Sequence, residues 1–413
     1  MRGFAGRNVH QRHCIRSIRR MEDRANRPAG EMTMRVLVGG NDTHGKAASV
    51  LRPERIGQQS AVAGSSGQEG VIESAAAAVM PPRWALFHTN RAAWAAAKEM
   101  LKAARETIAI EQYIFSYQGI GREILDILTD KTRHGVRVRL VADAFGSRNL
   151  LKSEGARHLL RAGGEIAIFN GVAEFFRNPA SAFHRLHRKS IVCDGQWLMT
   201  GGSCFHPRME DWRDTMVLIE GPVARKALEE FETTWLRANK LDAEPPDPSH
   251  SAPEEKDGDW SYMVSSPYGP GKREYYLELI ERIAQAERIV TLTSPYLVPV
   301  GRFWTTMERA TRRGVRVRVM IPSKSDQPLI DLFSLRFARD LLGRGIEVYG
   351  YKLGMMHAKL AIVDDDWAAV GSFNLGIDSI KMNLEGVLVS RSRAFHDALA
   401  EQLEADLASS RRL

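Results

Sequence analysis

Four residue types recur at one spacing in this chain, and together they could do covalent chemistry. His357, Lys359, Asp364, Gly371, Ser372 and Asn374 follow the pattern H-x-K-x4-D-x6-G-S-x-N. An earlier copy runs His187, Lys189, Asp194, Gly201, Gly202, Ser203, with identical offsets from His to Lys to Asp to Gly. A lone H-x-K arises by chance in many proteins. Two copies with matching Asp and Gly offsets are a strong signal. Leu360 to Val363 are apolar and β-prone, so His357 to Val363 reads as a buried strand. Alternation on that strand sets His357 and Lys359 on one face, a nucleophile or acid beside a fixed cation. Asp364 to Asp366 then turns the chain, and Trp367 to Val370 returns as a second strand. The small-residue loop at Gly371 and Ser372 lets N–H groups and a hydroxyl approach an anion.

Two histidines and two lysines facing one another suit phosphodiester chemistry without a metal or cofactor. One histidine attacks phosphorus and the other protonates the leaving alkoxide, then deprotonates the incoming hydroxyl or water. Lys189 and Lys359 would hold the non-bridging oxygens, helped by Gly202, Ser203, Gly371, Ser372 and Asn374. Each histidine needs an acceptor on its other ring nitrogen to fix its tautomer. Asp214 and Glu385, ten or so residues past each glycine loop, are the candidates. Asp194 and Asp364 sit at turns and are expected to be structural. His184 falls at an odd offset from His187, on the other strand face, while His88 and His206 read as surface or satisfied histidines.

The elements that must position these groups also repeat. Ile108 to Phe115 matches Ile289 to Tyr296. Gly135 to Val141 matches Gly314 to Met320 nearly letter for letter, and Leu159 to Phe169 matches Leu341 to Tyr349. Helices are expected from Asn90, as cap, through Ala104, from Pro222 to about Leu236, and around Tyr275 to Glu287. Strands alternating with helices predict an α/β chain of two duplicated halves, each a sheet flanked by helices, packed by a pseudo-two-fold axis around one shared cleft. The domains read as a disordered basic extension over 1–80, a first lobe over 82–240, a linker over 241–259 rich in Pro, Asp, Glu and Ser, and a second lobe over 260–413.

Composition narrows the partners. The 413 residues, 44% hydrophobic, can bury one large core or two ordinary ones. A net charge of +8 and a pI near 9.4 favour an anionic partner, phospholipid or nucleic acid. Residues 1–80 hold twelve Lys and Arg against seven Asp and Glu. This stretch reads as a dispensable extension, an early start codon or a membrane-touching tail. The three cysteines, Cys14, Cys193 and Cys204, are too few and too irregular for a disulfide framework or zinc site, so a reducing compartment is the simplest reading. No apolar run reaches the roughly 18–20 residues of a membrane span, and the N-terminus lacks a signal-peptide core.

The duplicated histidine–lysine–aspartate pattern resembles the phospholipase D superfamily, and within it the bacterial cardiolipin synthases. The likeness covers roughly residues 83 to 405. Trp212-Arg213-Asp214 followed by Ile219 to Pro222, Thr293 to Pro299, and Pro322 to Asp326 carry it. It implies the two-lobed α/β/α sandwich fold of that superfamily, with His187 as nucleophile and a phosphohistidine intermediate. It also implies that Asp214 orients His187 and Glu385 orients His357. The implied activity is phosphatidyl transfer from phosphatidylglycerol, or a lipid such as phosphatidylethanolamine, to a second lipid hydroxyl. Water as acceptor would make the chain a phospholipase D or nuclease-type phosphodiesterase. An inactive cleft would leave a protein that binds anionic membrane or nucleic acid. Many cardiolipin synthases begin with two membrane helices that this chain lacks, so a cytoplasmic, peripheral position at the inner face of the membrane is expected. A monomer is compatible with that role, and nucleic acid is the disfavoured partner. The halves differ at Cys204, opposite Asn374, and at Met216, where relatives commonly have His. The segment Gly171 to Phe183, with Phe175, Phe176, Phe183 and nearby Trp212, reads as a membrane-touching lip, or as core aromatics.

Overall fold

The computed structural model describes residues 83–171, 183–240, 258–269, 272–298 and 301–413. The basic extension, most of the linker and the Phe175-Phe176 part of the lip lie outside the described residues.

Two mixed sheets form the body. The first half supplies β1 (Trp84–Thr89), β2 (Thr107–Gln112), β3 (Arg137–Asp143), β4 (Glu165–Phe169), β5 (Ser190–Cys193), β6 (Trp197–Gly201) and β7 (Arg213–Glu220). Their order is β1-β7-β6-β5-β2-β3-β4, with β2, β3 and β4 parallel and the other pairings antiparallel. The second half supplies β8 (Trp260–Ser265), β9 (Ile289–Thr293), β10 (Leu297–Val298), β11 (Arg316–Pro322), β12 (Glu347–Tyr351), β13 (Leu360–Val363), β14 (Trp367–Gly371), β15 (Leu375–Gly376), β16 (Glu385–Ser390) and β17 (Ser410–Arg412). Its main sheet runs β8-β16-β14-β13-β9-β11-β12, the first order strand for strand, with β17 added beyond β12. β10 pairs with β15 as a separate ribbon.

Each sheet is buried on both faces, and strand alternation sorts the side chains between two cores. In the first half Ile108, Ile110, Leu140, Ile191 and Met199 face an outer core. That core is covered by α1 (Asn90–Ala103), α2 (Ile120–Arg133) and α3 (Glu154–Ala162). In the second half Val290, Leu292, Val317, Val319 and Ala361 face the equivalent core, covered by α5 (Glu274–Gln285), α6 (Arg302–Arg312) and α7 (Pro328–Leu342). The inner residues of both sheets, among them Val192, Val217, Leu360 and Leu388, share one central core with α4 (Val223–Ala238) and α9 (Arg393–Ala408). A short α8 (Ile377–Lys381) follows β15. That shared core fuses the halves.

Some local expectations shift. Thr89 caps α1, its hydroxyl accepting from Ala92 N at 3.3 Å. Asn90 is instead the first helical residue, fully buried, with its amide donating to Met209 O. Pro222 is the residue just before α4 rather than within it. The strand expected from His357 begins only at Leu360, because the preceding residues are recruited by the other half.

Candidate active site

The chain enters β5 and β13 at the end of each sheet where the parallel strands finish, and there it crosses to the opposite lobe. His187 N donates to Leu384 O at 2.9 Å, and Leu384 N donates to Arg185 O at 2.8 Å. In the other direction Arg213 N donates to Met355 O at 2.9 Å, and His357 N donates to Arg213 O at 2.7 Å. Each motif histidine is therefore stitched beside the residue that precedes the other half's candidate carboxylate.

The side chains follow the backbone. Nδ1 of His187 meets both oxygens of Glu385, at 3.0 and 2.9 Å. Nδ1 of His357 meets Oδ2 of Asp214 at 2.7 Å. This reverses the pairing the resemblance implied: Glu385 serves His187, and Asp214 serves His357. A carboxylate can only accept, so each Nδ1 carries its proton and each Nε2 keeps its lone pair for the cleft. Lys189 Nζ donates to His187 O at 2.6 Å, and Lys359 Nζ donates likewise to His357 O. None of these six residues is more than 8% exposed.

Burial lowers the pKa of both histidines. His357 falls to about 4, by burial and then by Lys359, against the pull of Asp214. His187 is lowered in the same direction by burial, with Glu385 opposing. Lys359 is pushed down to about 7 by burial, and Lys189 is lowered by the same cause. Burial pushes Asp214 and Glu385 up, but the charge and hydrogen bonds of their histidines outweigh it and leave both below the ordinary carboxylate range. Burial thus favours two neutral histidines with free lone pairs, and two lysines that an anionic substrate would keep protonated.

The glycine loops act differently from the expectation. A Cβ on Gly202 would lie 2.1 Å from Asp214 Oδ1, and one on Gly371 would lie 2.5 Å from Gly386 O. The missing side chains let the β7 and β16 strands, which carry the carboxylates, come close. Ser372 donates its hydroxyl to Glu385 Oε2, and its Oγ accepts from Gly386 N at 3.1 Å, so it braces the carboxylate rather than facing the cleft. Ser203 Oγ accepts from Trp94 Nε1 at 3.0 Å, and Ser203 N donates to Met216 Sδ at 3.3 Å. Met216 thereby takes up a donor within the first half. Asn374 is buried, its N donating to Ser379 Oγ at 3.1 Å and its Oδ1 unpartnered. Cys204, at the position of Asn374, is buried, and Lys189 is among the charges acting on its thiol.

Asp194 and Asp364 lie at the far end of β5 and β13. Asp194 accepts from the backbone N of Arg105, Glu106 and Thr107 at 2.8–2.9 Å. Asp364 accepts from Glu287, Arg288 and Ile289 at 2.8–2.9 Å. Each clamps the entry to the neighbouring parallel strand and takes no part in the cleft. His184 bonds through Nδ1 to Tyr268 OH at 2.6 Å, and His206 Nδ1 accepts from Arg208 N at 3.1 Å. His88 departs from expectation, with a buried and unpartnered Nδ1. Trp212 lies at the cleft, its ring 5.3 Å from that of His357.

Several supporting groups gave no sequence signal. Ser379 Oγ donates to Glu385 Oε1 at 2.6 Å, and Asn383 Nδ2 does so at 3.3 Å. Tyr113 sets its ring edge-on to His187 at 5.0 Å and beneath Lys189 at 5.2 Å. Buried Asp143 accepts from Leu186 N at 3.0 Å and so fixes the arm that carries His187.

A family model described as "Cardiolipin synthase, PLD-like domain" matches residues 97–235 and 279–407. The chain belongs to this family. The PLD-like cardiolipin synthase family thus spans both halves, including every residue of the crossed site. The chain is 32% identical over 325 residues to the probable cardiolipin synthase YwiE of Bacillus subtilis (strain 168), covering 76% of this chain and 63% of that protein. It is 32% identical over 321 residues to cardiolipin synthase A of Pseudomonas entomophila (strain L48), covering 76% of this chain and 66% of that one. The chain therefore spans a little under two thirds of these two relatives. Among solved structures it is similar to phosphatidylserine synthase of Haemophilus influenzae Rd KW20, with a TM-score of 0.63 and 15% identity over 81% of this chain and 88% of that one. Polyphosphate kinase of Porphyromonas gingivalis matches with a TM-score of 0.57 and 14% identity, over 80% of this chain and 48% of that one. These two likenesses concern the fold alone.

Proposed function

We propose that this chain is a phosphatidyltransferase of the cardiolipin synthase type, acting on phospholipid through a phosphohistidine on His187. The crossed pairing carries the reading: each histidine is oriented by the other half's carboxylate, so the two histidines serve one reaction centre. The neutral Nε2 of His187 attacks the lipid phosphorus, and the bond from phosphorus to the leaving alcohol breaks. His357 gives that alkoxide a proton from Nε2, then takes one back from the incoming hydroxyl as its oxygen attacks phosphorus and the P–N bond breaks. Lys189 and Lys359 offset the charge gathering on the non-bridging oxygens. The negative phosphodiester raises the pKa of both lysines and of His357 toward their protonated forms, so His357 takes up the Nε2 proton it delivers, while His187 attacks as the neutral imidazole.

The cardiolipin synthase relatives support a phospholipid substrate, and the reading takes phosphatidylglycerol as donor and a second lipid hydroxyl as acceptor. Phosphatidylethanolamine fits the same chemistry. The reading divides the chain into an extension over 1–80, lobes over 82–240 and 260–413, and a linker over 241–259, and the matched strand orders support the two lobes. No helix among the described residues is long and apolar enough to cross a membrane. The reading therefore has the described body meet lipid from the membrane surface.

The test incubates the purified full chain with phosphatidylglycerol vesicles in EDTA and follows lipids by mass spectrometry, with His187→Ala and His357→Ala alongside. Cardiolipin plus glycerol, absent from both variants, is expected. Phosphatidic acid instead would make water the acceptor, and no product from any phospholipid would overturn the reading.

A further inference from the structure

Eleven large apolar side chains are exposed among the described residues. All of them lie in segments that leave the sheets at the end where His187 and His357 enter, and none lies at the opposite end with the Asp194 and Asp364 turns. Helix α7 contributes the densest group: Leu329 is 78% exposed, Leu332 67% and Phe333 58%, on one helical face by their i, i+3, i+4 spacing. Leu353 after β12, Phe145 after β3 and Phe183 before the His187 arm are 74%, 70% and 64% exposed. They belong to both halves, so chance clustering on one helix does not explain them. Soluble surfaces rarely gather large apolar groups on one side.

The same segments are basic. Within four residues of an exposed apolar side chain stand six exposed cations, Arg148, Lys152, Arg336, Arg339, Lys352 and Lys381, against three exposed acids, Glu154, Glu274 and Glu281. At this end a cavity of about 450 Å³ opens beside Lys324, Lys352 and Met355 and reaches Trp212, whose ring packs on His357. Ser325 N donates to Asp331 at 3.0 Å, tying the first turn of α7 to the cavity rim. The apolar, basic face therefore borders the cavity that ends at Trp212 beside His357.

We propose that this end of the body is a bilayer-docking face: α7 and the side chains of Phe145, Phe183 and Leu353 insert among the acyl chains of an anionic leaflet, and the interspersed cations pair with its headgroups. The proposal rests on the phospholipid reading above and names the surface through which that substrate arrives. Apolar groups gain from burial in the headgroup–acyl boundary, and the cations make the attachment depend on anionic lipid and on salt. An embedded mouth lets a lipid slide to His187 without leaving the leaflet.

The test is co-sedimentation of the full chain with vesicles of phosphatidylcholine, alone or with 30% phosphatidylglycerol. The triple variant Leu329→Ser/Leu332→Ser/Phe333→Ser is compared with the separate pair Phe145→Ser/Leu353→Ser. These side chains are already exposed, so unchanged melting is expected, and two distant variants guard against a local folding defect. Each is expected to weaken binding to the anionic vesicles about tenfold or more, while His187→Ala binds like the parent. Turnover of a short-chain phosphatidylglycerol kept below its micelle concentration is expected to survive in both variants, while turnover on vesicles falls. Unchanged vesicle binding in both variants overturns the docking face, even where turnover is seen. Variants that dissociate a dimer while binding vesicles normally assign the face to a second copy and also overturn it. Vesicle binding that falls as expected in a protein without turnover supports the face and counts against the catalytic reading alone.

Discussion

The crossed pairing makes Asp214→Asn and Glu385→Gln fail at different chemical steps. Glu385 holds His187, the proposed nucleophile, at 2.9–3.0 Å, while Asp214 holds His357, the proposed acid–base, at 2.7 Å. General acid–base help is worth about 10²–10⁴ in rate. A leaving group that departs without a proton does not need it. On phosphatidylglycerol both variants should lose about 10³-fold, since each frees a buried histidine to turn or to change tautomer. On a phosphodiester with a nitrophenol leaving group, the burst of nitrophenolate reports formation of the covalent intermediate alone. There Asp214→Asn should recover to within about tenfold of the parent, because His357 has no proton to deliver. Glu385→Gln should stay about 10³-fold slow, because attack by His187 is still required. Stopped-flow absorbance measures both. Rescue of Glu385→Gln but not of Asp214→Asn would refute the assignment, placing the nucleophile on His357 or the carboxylates on their own halves.

Gly202→Ala would set a methyl 2.1 Å from Asp214 Oδ1, so it should behave as a weaker Asp214→Asn, losing about 10²-fold on lipid and recovering on the nitrophenyl ester. Asp364→Ala removes an acceptor of three backbone N–H groups at a residue with φ of +50°, and roughly 2–4 kcal/mol of stability should go with it, read by denaturant melts. Asp364→Gly should regain about 1 kcal/mol of that loss by relieving the backbone. Acid should destabilise the protein early. His88 and His357 fall from 6.5 to about 4 on folding, so between those pH values the unfolded chain binds more protons and stability falls as pH falls. Each contributes on the order of 3 kcal/mol across that window at most. Melting temperatures flat from pH 7 to 4.5 would contradict the burial of both, and His88→Gln should flatten the slope.

Spacing revealed the duplication and the two histidine–lysine pairs, because period and residue type survive in a linear reading, while Asp214 and Glu385 stood out only as carboxylates past each glycine loop. Matched blocks such as Gly135 to Val141 and Gly314 to Met320 announced matched strands, and both sheets run in the same order. The pairing of histidine with carboxylate, decided by contact between the halves, was not legible. Asp214 stands nearer His187 in sequence, yet the parallel bridges at Leu186–Leu384 and Arg213–Met356 carry each histidine to the other half. Those same bonds explain why the strand after His357 starts three residues late. Ser372 and Ser203 read as anion donors because a hydroxyl beside a glycine often is one, but Glu385 and Trp94 reached them first. Ser379 and Asn383 were silent because a polar residue in a loop says nothing about which buried oxygen it meets.

The crossed stitching has a consequence for inheritance. Each half holds one motif histidine and the carboxylate that steadies the other's, so under the proposed mechanism neither half can be improved or lost by itself. A substitution that slides the seam misaims both histidines together. Replacing one half with that of a distant relative would yield a working enzyme only if both bridges closed in register. Divergence between the two copies is therefore free on the outer helices and arrested along the line where they meet.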